Sequence, residues 1–232
     1  MTKLRVGVLV FPKVRQLDLT GPFEVFASIP EAEVRLVWKR IEPIVSATGL
    51  VLTPDLTFAA CPQFDILCVP GGVGVNPLME DEEVLGFLRR QAEGARYVTS
   101  VCTGALVLAA VGLLAGRRAT THWASHDVLA RLGAVPVRAR VVADGKFVTG
   151  GGVTAGIDMA LRVVGELLGR ETAEAVQLNL EYAPEPPFTS GQPETAPAEV
   201  VALVRERGRA NRAEREAIVG RLEARRGATA AV

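Results

Sequence analysis

The sequence predicts an α/β fold: a mainly parallel sheet sandwiched by helices. Two observations carry this. Short, nearly continuous apolar runs at residues 5–11, 65–69 and 97–101 read as strands buried on both faces. Helix-length stretches of amphipathic or small residues alternate with them, the order that builds parallel strands with crossover helices.

Taken in order, the first strand spans 5–11 and stops at Pro12. A helix starts near Asp18, with Pro22 close to its first turn, where a missing N–H does little harm. Residues 33–38 read as a second strand, and weak alternation over 44–56 as a short hairpin. The strand 65–69 ends at Pro70-Gly71-Gly72, and an amphipathic helix occupies 81–92. The strand 97–101 runs into Cys102-Thr103-Gly104-Ala105, which opens an Ala/Leu-rich helix to about 110. A short strand at 118–122 and a helix at 126–132 follow, the latter ending at Gly133. Residues 140–148 form two strands around Asp144-Gly145, a strong hairpin signal. Gly150-Gly151-Gly152 leads into a helix at about 154–168, with a second at about 171–180 and a Pro-rich loop at 184–187. The tail, about 198–226, is charged and helical, so the expected organisation is an α/β domain at 1–195 and a C-terminal helix at 196–232 that packs on the domain or on a dimer mate.

Composition narrows the function classes. Among 232 residues, 49% are hydrophobic and only 5% aromatic, so the core is aliphatic. Lys+Arg and Asp+Glu are both 26; the zero net charge gives no general attraction to nucleic acid or anionic lipid. Acidic residues interleaved with the tail arginines argue the same way, and no apolar run reaches membrane-spanning length. Three cysteines make no complete disulfide framework and suggest a reducing, cytoplasmic setting. His122 and His126 are four apart without the Glu of a zinc-protease motif, so no metal is expected. The Gly150 run fits neither dinucleotide nor Walker-type loops, so no nucleotide cofactor is expected.

The residues able to carry chemistry collect at one sheet edge. Cys102 follows a strand and precedes a small-residue helix, whose N-terminus favours thiolate; it reads as a nucleophile or as a small buried hydrophobe. Asp18, after the first strand, is a proton donor and acceptor for a thiol or a helix cap. Gly71 and Gly72 either present backbone N–H groups to a substrate or end a strand for steric reasons. His122 is a base or orienting group for the thiol, or a histidine bonded within its loop. His126 and Cys68 read as structural, and Cys61 carries no pattern.

Together these segments resemble the ThiJ/PfpI superfamily. The resemblance rests on Val8-Leu9-Val10-Phe11-Pro12 with Leu17-Asp18-Leu19-Thr20-Gly21-Pro22, on Asp65-Ile66-Leu67-Cys68-Val69-Pro70-Gly71-Gly72, and on Tyr97-Val98-Thr99-Ser100-Val101-Cys102-Thr103-Gly104. Ala119-Thr120-Thr121-His122-Trp123 and Gly151-Gly152-Val153-Thr154-Ala155-Gly156-Ile157-Asp158 continue it, and it covers roughly 5–188. With Glu181-Tyr182-Ala183-Pro184-Glu185-Pro186-Pro187-Phe188 added, the set is similar to the bacterial isonitrile hydratases. That resemblance implies a flavodoxin-like homodimer with a nucleophile elbow. It also implies cofactor-free hydration of an isonitrile to an N-substituted formamide. Carried over by motif, Cys102 is the nucleophile that forms a thioimidate, Asp18 the acid/base and Thr103 a supporting residue whose hydroxyl serves the carboxyl or the water. Cys102-Thr103 departs from the Cys-His of the proteases and glyoxalases of the superfamily, and Asp18 stands where those relatives carry Glu. The later His-x-Glu of glutamine amidotransferases is missing. AraC-type regulators share two of these motifs but continue into a helix-turn-helix module, for which this chain ends too soon. The competing expectations are a redox or ligand sensor built on the same thiol and a binding module using the C-terminal helix.

Overall fold

The computed structural model describes residues 3–230, and side chains from residue 3 to residue 226. The first half of the chain runs β1 Leu4–Leu9, α1 Gln16–Ala27, β2 Ala32–Trp38, β3 Ile44–Val45, β4 Val51–Leu52, β5 Leu56–Thr57, β6 Ile66–Val69, α2 Val75–Leu78, α3 Glu82–Gly94 and β7 Tyr97–Val101. It continues with α4 Gly104–Ala110, β8 Arg118–Ala119, α5 His126–Arg131, β9 Val135–Pro136, β10 Val141–Asp144, β11 Phe147–Gly150, α6 Ala155–Leu168, α7 Arg170–Asn179, α8 Ala198–Arg207 and α9 Arg209–Ala230.

The apolar runs become the middle of a seven-stranded sheet ordered β10-β11-β7-β6-β1-β2-β5, and every residue of β6 is buried. All neighbours are parallel except β10 and β11, which form the hairpin expected around Asp144-Gly145. Helices α1, α6 and α7 pack together, as do α2, α4, α5 and α9. Helix α3 starts where Asp81 accepts a hydrogen bond from the Val84 N–H at 3.2 Å, a side-chain cap. From β1 the chain moves outward to β2, then returns past β1 to β6 and on to β7 and β11. Strand order therefore reverses between β1 and β6, the crevice where open α/β sheets hold ligands.

Three segments differ from the sequence reading. The strand expected at 118–122 ends at Ala119 and pairs with β9, outside the main sheet. Side chains take over its backbone bonding: the Thr120 N–H donates to Thr149 Oγ1 at 2.9 Å. The region 44–56 holds the expected hairpin, β3 with β4, but also delivers β5, too short to show a period of two, to the sheet edge. The charged tail is two helices, divided at Gly208.

Helix α8 buries no residue, whereas α9 buries Arg215, Ile218 and Val219 against the body of the chain. Ion pairs hold α9 there: Arg212 with Asp127, Arg131 with Glu216 and Glu223, and Arg221 with Glu80. Among the described residues, no helix is long and apolar enough to cross a membrane.

Candidate active site

Three segments meet at the carboxyl edge beside the β1/β6 crevice: the start of α1, the loop after β6 and the turn after β7. The last is a sharp elbow. Cys102 has φ 55°, a left-handed conformation that costs a residue with a side chain about 1–2 kcal/mol. Its N–H donates to the Gly150 carbonyl at 3.0 Å, and its own carbonyl accepts from Thr121 Oγ1 at 2.8 Å. Gly104 lets the elbow pass the end of β6, because a Cβ there would lie 2.0 Å from the Val69 carbonyl oxygen. The Cys102 side chain is thereby fixed at the sheet edge, 5% exposed.

Asp18 lies fully buried beside it. Oδ2 accepts a hydrogen bond from the Gly71 N–H at 3.0 Å. Oδ1 is buried with no conventional hydrogen-bond partner among the described residues, and the thiol of Cys102 is the group coupled to this carboxyl. Gly71 makes the approach possible: a Cβ would stand 2.7 Å from Asp18 Oδ2 and 2.7 Å from the Thr103 nitrogen. Burial pushes the Asp18 carboxyl up to about 7, against smaller lowering effects of the Gly71 N–H, the Cys102 thiol and the Arg15 charge. Burial, and after it the Asp18 charge, push the Cys102 thiol far above its ordinary value, outweighing the Thr103 N–H and Arg15. Against the expected preference for thiolate, burial outweighs the N-terminus of the seven-residue α4 and favours the neutral thiol.

Thr103 is at the site, and its hydroxyl bonds the glycine loop, not the Asp18 carboxyl. Oγ1 accepts from the Gly72 N–H at 3.1 Å and lies 3.3 Å from the Gly72 carbonyl, which accepts in turn. That corrects two expectations at once. Thr103 clamps the glycine loop, and the Gly72 N–H is occupied by the Thr103 hydroxyl. The Gly71 N–H is likewise held by Asp18. The Thr103 N–H is a backbone donor to the sulfur.

His122 lines the cavity in front of Cys102 but bonds within its own turn, where Nδ1 accepts from the Ala124 N–H at 3.3 Å. Burial, then the charges of Arg215 and Arg15, push it down to about 4, so it is neutral at pH 7 and a weak base. His126 is tied to Thr120 Oγ1 at 3.2 Å, in keeping with a structural role. Cys68 is fully buried in β6 and its thiol is pushed up to about 12 by burial, as a packing residue should be. Among the described residues, no three His, Cys, Asp or Glu side chains cluster to hold a metal ion.

The cavity has a volume of about 1160 Å³. Its walls come from the sheet edge (Gly72, Val73, Cys102), from Trp123 and Val153, and from the C-terminal helices. The sequence reading missed this last contribution. Arg215 of α9 is 5% exposed and reaches the cavity, with Nε on Asn76 Oδ1 and Nη1 on Ser125 Oγ, each at 3.0 Å. A signal existed: Arg215, Ile218, Val219 and Leu222 recur at helical spacing, one partly apolar stripe in a charged segment.

A flavodoxin-like sheet with a strained cysteine elbow and a buried carboxyl beside it defines a class of protein, and the DJ-1/PfpI family model matches residues 4–166. The chain belongs to the DJ-1/PfpI family. It is 62% identical over 204 residues to an isonitrile hydratase of Pseudomonas putida, covering 88% of this chain and 90% of that one. Its structure is similar to the crystal structure of a ThiJ/PfpI family protein from Pseudomonas syringae, with a TM-score of 0.91, 41% identity, and 95% and 92% of the two chains covered. Drosophila melanogaster DJ-1β gives a TM-score of 0.73 at 25% identity, over 79% of this chain and all of that one.

Proposed function

We propose that this chain is an enzyme that hydrates an isonitrile to an N-substituted formamide through a covalent thioimidate on Cys102. The observation that carries the reading is the pairing of Cys102 with Asp18. A neutral thiol lies against a carboxyl held near neutrality, with one carboxyl oxygen anchored and the other buried without a conventional partner. The 62% identity to an isonitrile hydratase supplies the substrate class.

The steps balance without a cofactor. Ionised Asp18 takes the Cys102 proton on Oδ1 as sulfur bonds to the terminal carbon of R–N≡C, and passes that proton to the same carbon. The product is R–N=CH–S–Cys102. Asp18, again a carboxylate, takes a proton from water while the oxygen bonds to the thioimidate carbon. Asp18 gives that proton to nitrogen, the C–S bond breaks as the new hydroxyl passes its proton by way of Asp18 to sulfur, and R–NH–CHO leaves. Two moderate additions replace one difficult one, and a carboxyl with a value near 7 is suited to giving and taking protons at neutral pH. Thr103 positions Gly72 and directs its N–H at the sulfur, Gly71 leaves room for the carboxyl, and His122 stands as a neutral wall of the cavity against which the R group binds.

The test is direct. Purified protein incubated with cyclohexyl isocyanide should yield N-cyclohexylformamide by mass spectrometry; no formamide from several isonitriles sinks the reading. The sensor alternative loses ground at the sulfur, because sensing requires an exposed, low-pKa thiol and this one is buried and raised.

We propose a homodimer as the working form. Leu178 and Phe188 are 81% and 79% exposed, and Val200, Leu203 and Val204 stand out along α8, apolar surface of the kind that marks association. Sedimentation equilibrium should give twice the chain mass of 24.6 kDa; a single chain at micromolar concentration rejects the dimer.

A further inference from the structure

The cavity holds charge that the proposed chemistry does not use. Adding a thiol and water to a neutral isonitrile calls for a nucleophile and a carboxyl, not for cations. Yet seven arginines line the same cavity as Cys102, and two of them bear on its chemistry: Arg15, at the N-cap of α1, and Arg215, on α9. Both are close enough for their charges to act on the reacting groups. Arg15 acts on Asp18, Cys102 and His122, and Arg215 acts on Cys102 and His122.

Arg215 is held only by neutral oxygens, those of Asn76 and Ser125. Among the described residues neither Arg15 nor Arg215 has a carboxylate within ion-pair distance. Arg131, Arg212 and Arg221, at the same helix interface, each have one. A buried guanidinium without a directly paired carboxylate is costly to desolvate. Asn76 and Ser125 orient the group, and the carboxylates that act on its charge, Glu214 and Glu216, make no direct ion pair with it. The segment lies beyond residues 4–166, the part that the family model matches. Apolar side chains, Val73, Trp123 and Val153 among them, line the same cavity, whose volume is ample for a small molecule.

We propose that Arg15 and Arg215 bind the carboxylate of the substrate, so that the preferred substrate is an isonitrile acid, with its N≡C end at Cys102 and its anionic end on the two guanidinium groups. A planar guanidinium presents paired donors that match a carboxylate's two oxygens. The proposal rests on the hydratase reading and names its substrate class.

Isocyanoacetate and methyl isocyanoacetate differ chiefly by that charge. Wild-type kcat/KM is expected to be about tenfold or more higher for the carboxylate, the size of one charged hydrogen bond. In Arg215→Gln the carboxylate-to-ester ratio should fall toward one, and Arg215→Lys should recover part of it. Arg15→Gln, at an exposed position away from the helix interface, should lower the ratio too, which keeps the test alive where Arg215→Gln fails to fold. Equal values for the two substrates in the wild type, or equal losses on both in every variant, overturn the proposal.

A second readout does not depend on turnover. The rate of Cys102 alkylation by iodoacetate relative to iodoacetamide, followed on the Cys102 peptide, should fall about tenfold in Arg215→Gln and in Arg15→Gln. If no isonitrile is hydrated, the hydratase reading fails and this ratio alone decides the anion site: a fall supports it, and an unchanged ratio in both variants rejects it.

Discussion

Cys102→Ala is expected to reduce formamide production by about 10⁴-fold or more, because the covalent route through sulfur has no second nucleophile to replace it. The fold should survive. Alanine keeps the Cβ, the φ of 55° and the two backbone bonds to Gly150 and Thr121 that pin the elbow. Its melting temperature should lie within a few degrees of wild type. Two further signs belong to the covalent mechanism. Trapped wild-type protein should carry the substrate's mass on the Cys102 peptide, and the alanine variant should carry none. The thiol is one of the groups that lower Asp18, so its removal should also raise the titration midpoint of that carboxyl. Turnover in the variant at wild-type rate rejects the thioimidate.

Asp18→Asn is the second large effect, and it has opposite signs on activity and stability. Activity should drop about 10²–10⁴-fold, the ordinary contribution of a positioned acid/base. In the wild type the working form is the carboxylate, which accepts the thiol proton and later deprotonates water. Its kcat/KM should therefore rise with pH through a midpoint near 7, and the variant should stay low and flat.

For stability, the folded-state value of about 7 lies above the unfolded reference of 3.8. The folded chain holds this proton more tightly, so the wild type loses stability as pH rises from about 4 through about 7 and loses no more above that. The loss is at most about 4 kcal/mol. Asparagine retains an oxygen for the Gly71 N–H and escapes the ionisation. The variant should thus be more stable than wild type at pH 8, by a margin that closes near pH 4. Urea unfolding at the two pH values reads this. A variant equally destabilised at both rejects the raised carboxyl.

The sheet and its site edge were legible because their signals are local. Five or so apolar residues followed by Gly or Pro mark a buried strand and its carboxyl end, and that rule placed Asp18, Gly71 and Cys102 on one edge before any geometry was known. The protonation of the site was not legible, because it depends on burial. A helix N-terminus argues for thiolate, and only the packing around Cys102 and Asp18 shows that desolvation wins. Hydroxyl partners were not legible either: Thr103 had several acceptors in reach, and the glycine loop took it. Arg215 escaped because more than a hundred residues separate it from Cys102 and acidic neighbours hide it in a segment that reads as solvated.

The way the cavity is assembled bears on how such a protein changes over generations. Bond-making groups sit on the first half of the chain, where Gly71 and Gly104 admit no side chain and Cys102 occupies a strained turn. That part is close to frozen: most substitutions there collide with backbone or with the carboxyl. Much of the outer wall comes from α8 and α9, hung on the body by surface ion pairs and a few apolar contacts. Residues such as Val204 and Arg205 can be exchanged without disturbing the elbow. Part of the cavity wall is thus inherited apart from the bond-making groups, and a lineage, or an engineer, can retune that part by rewriting α8 and α9 while the elbow stays as it is.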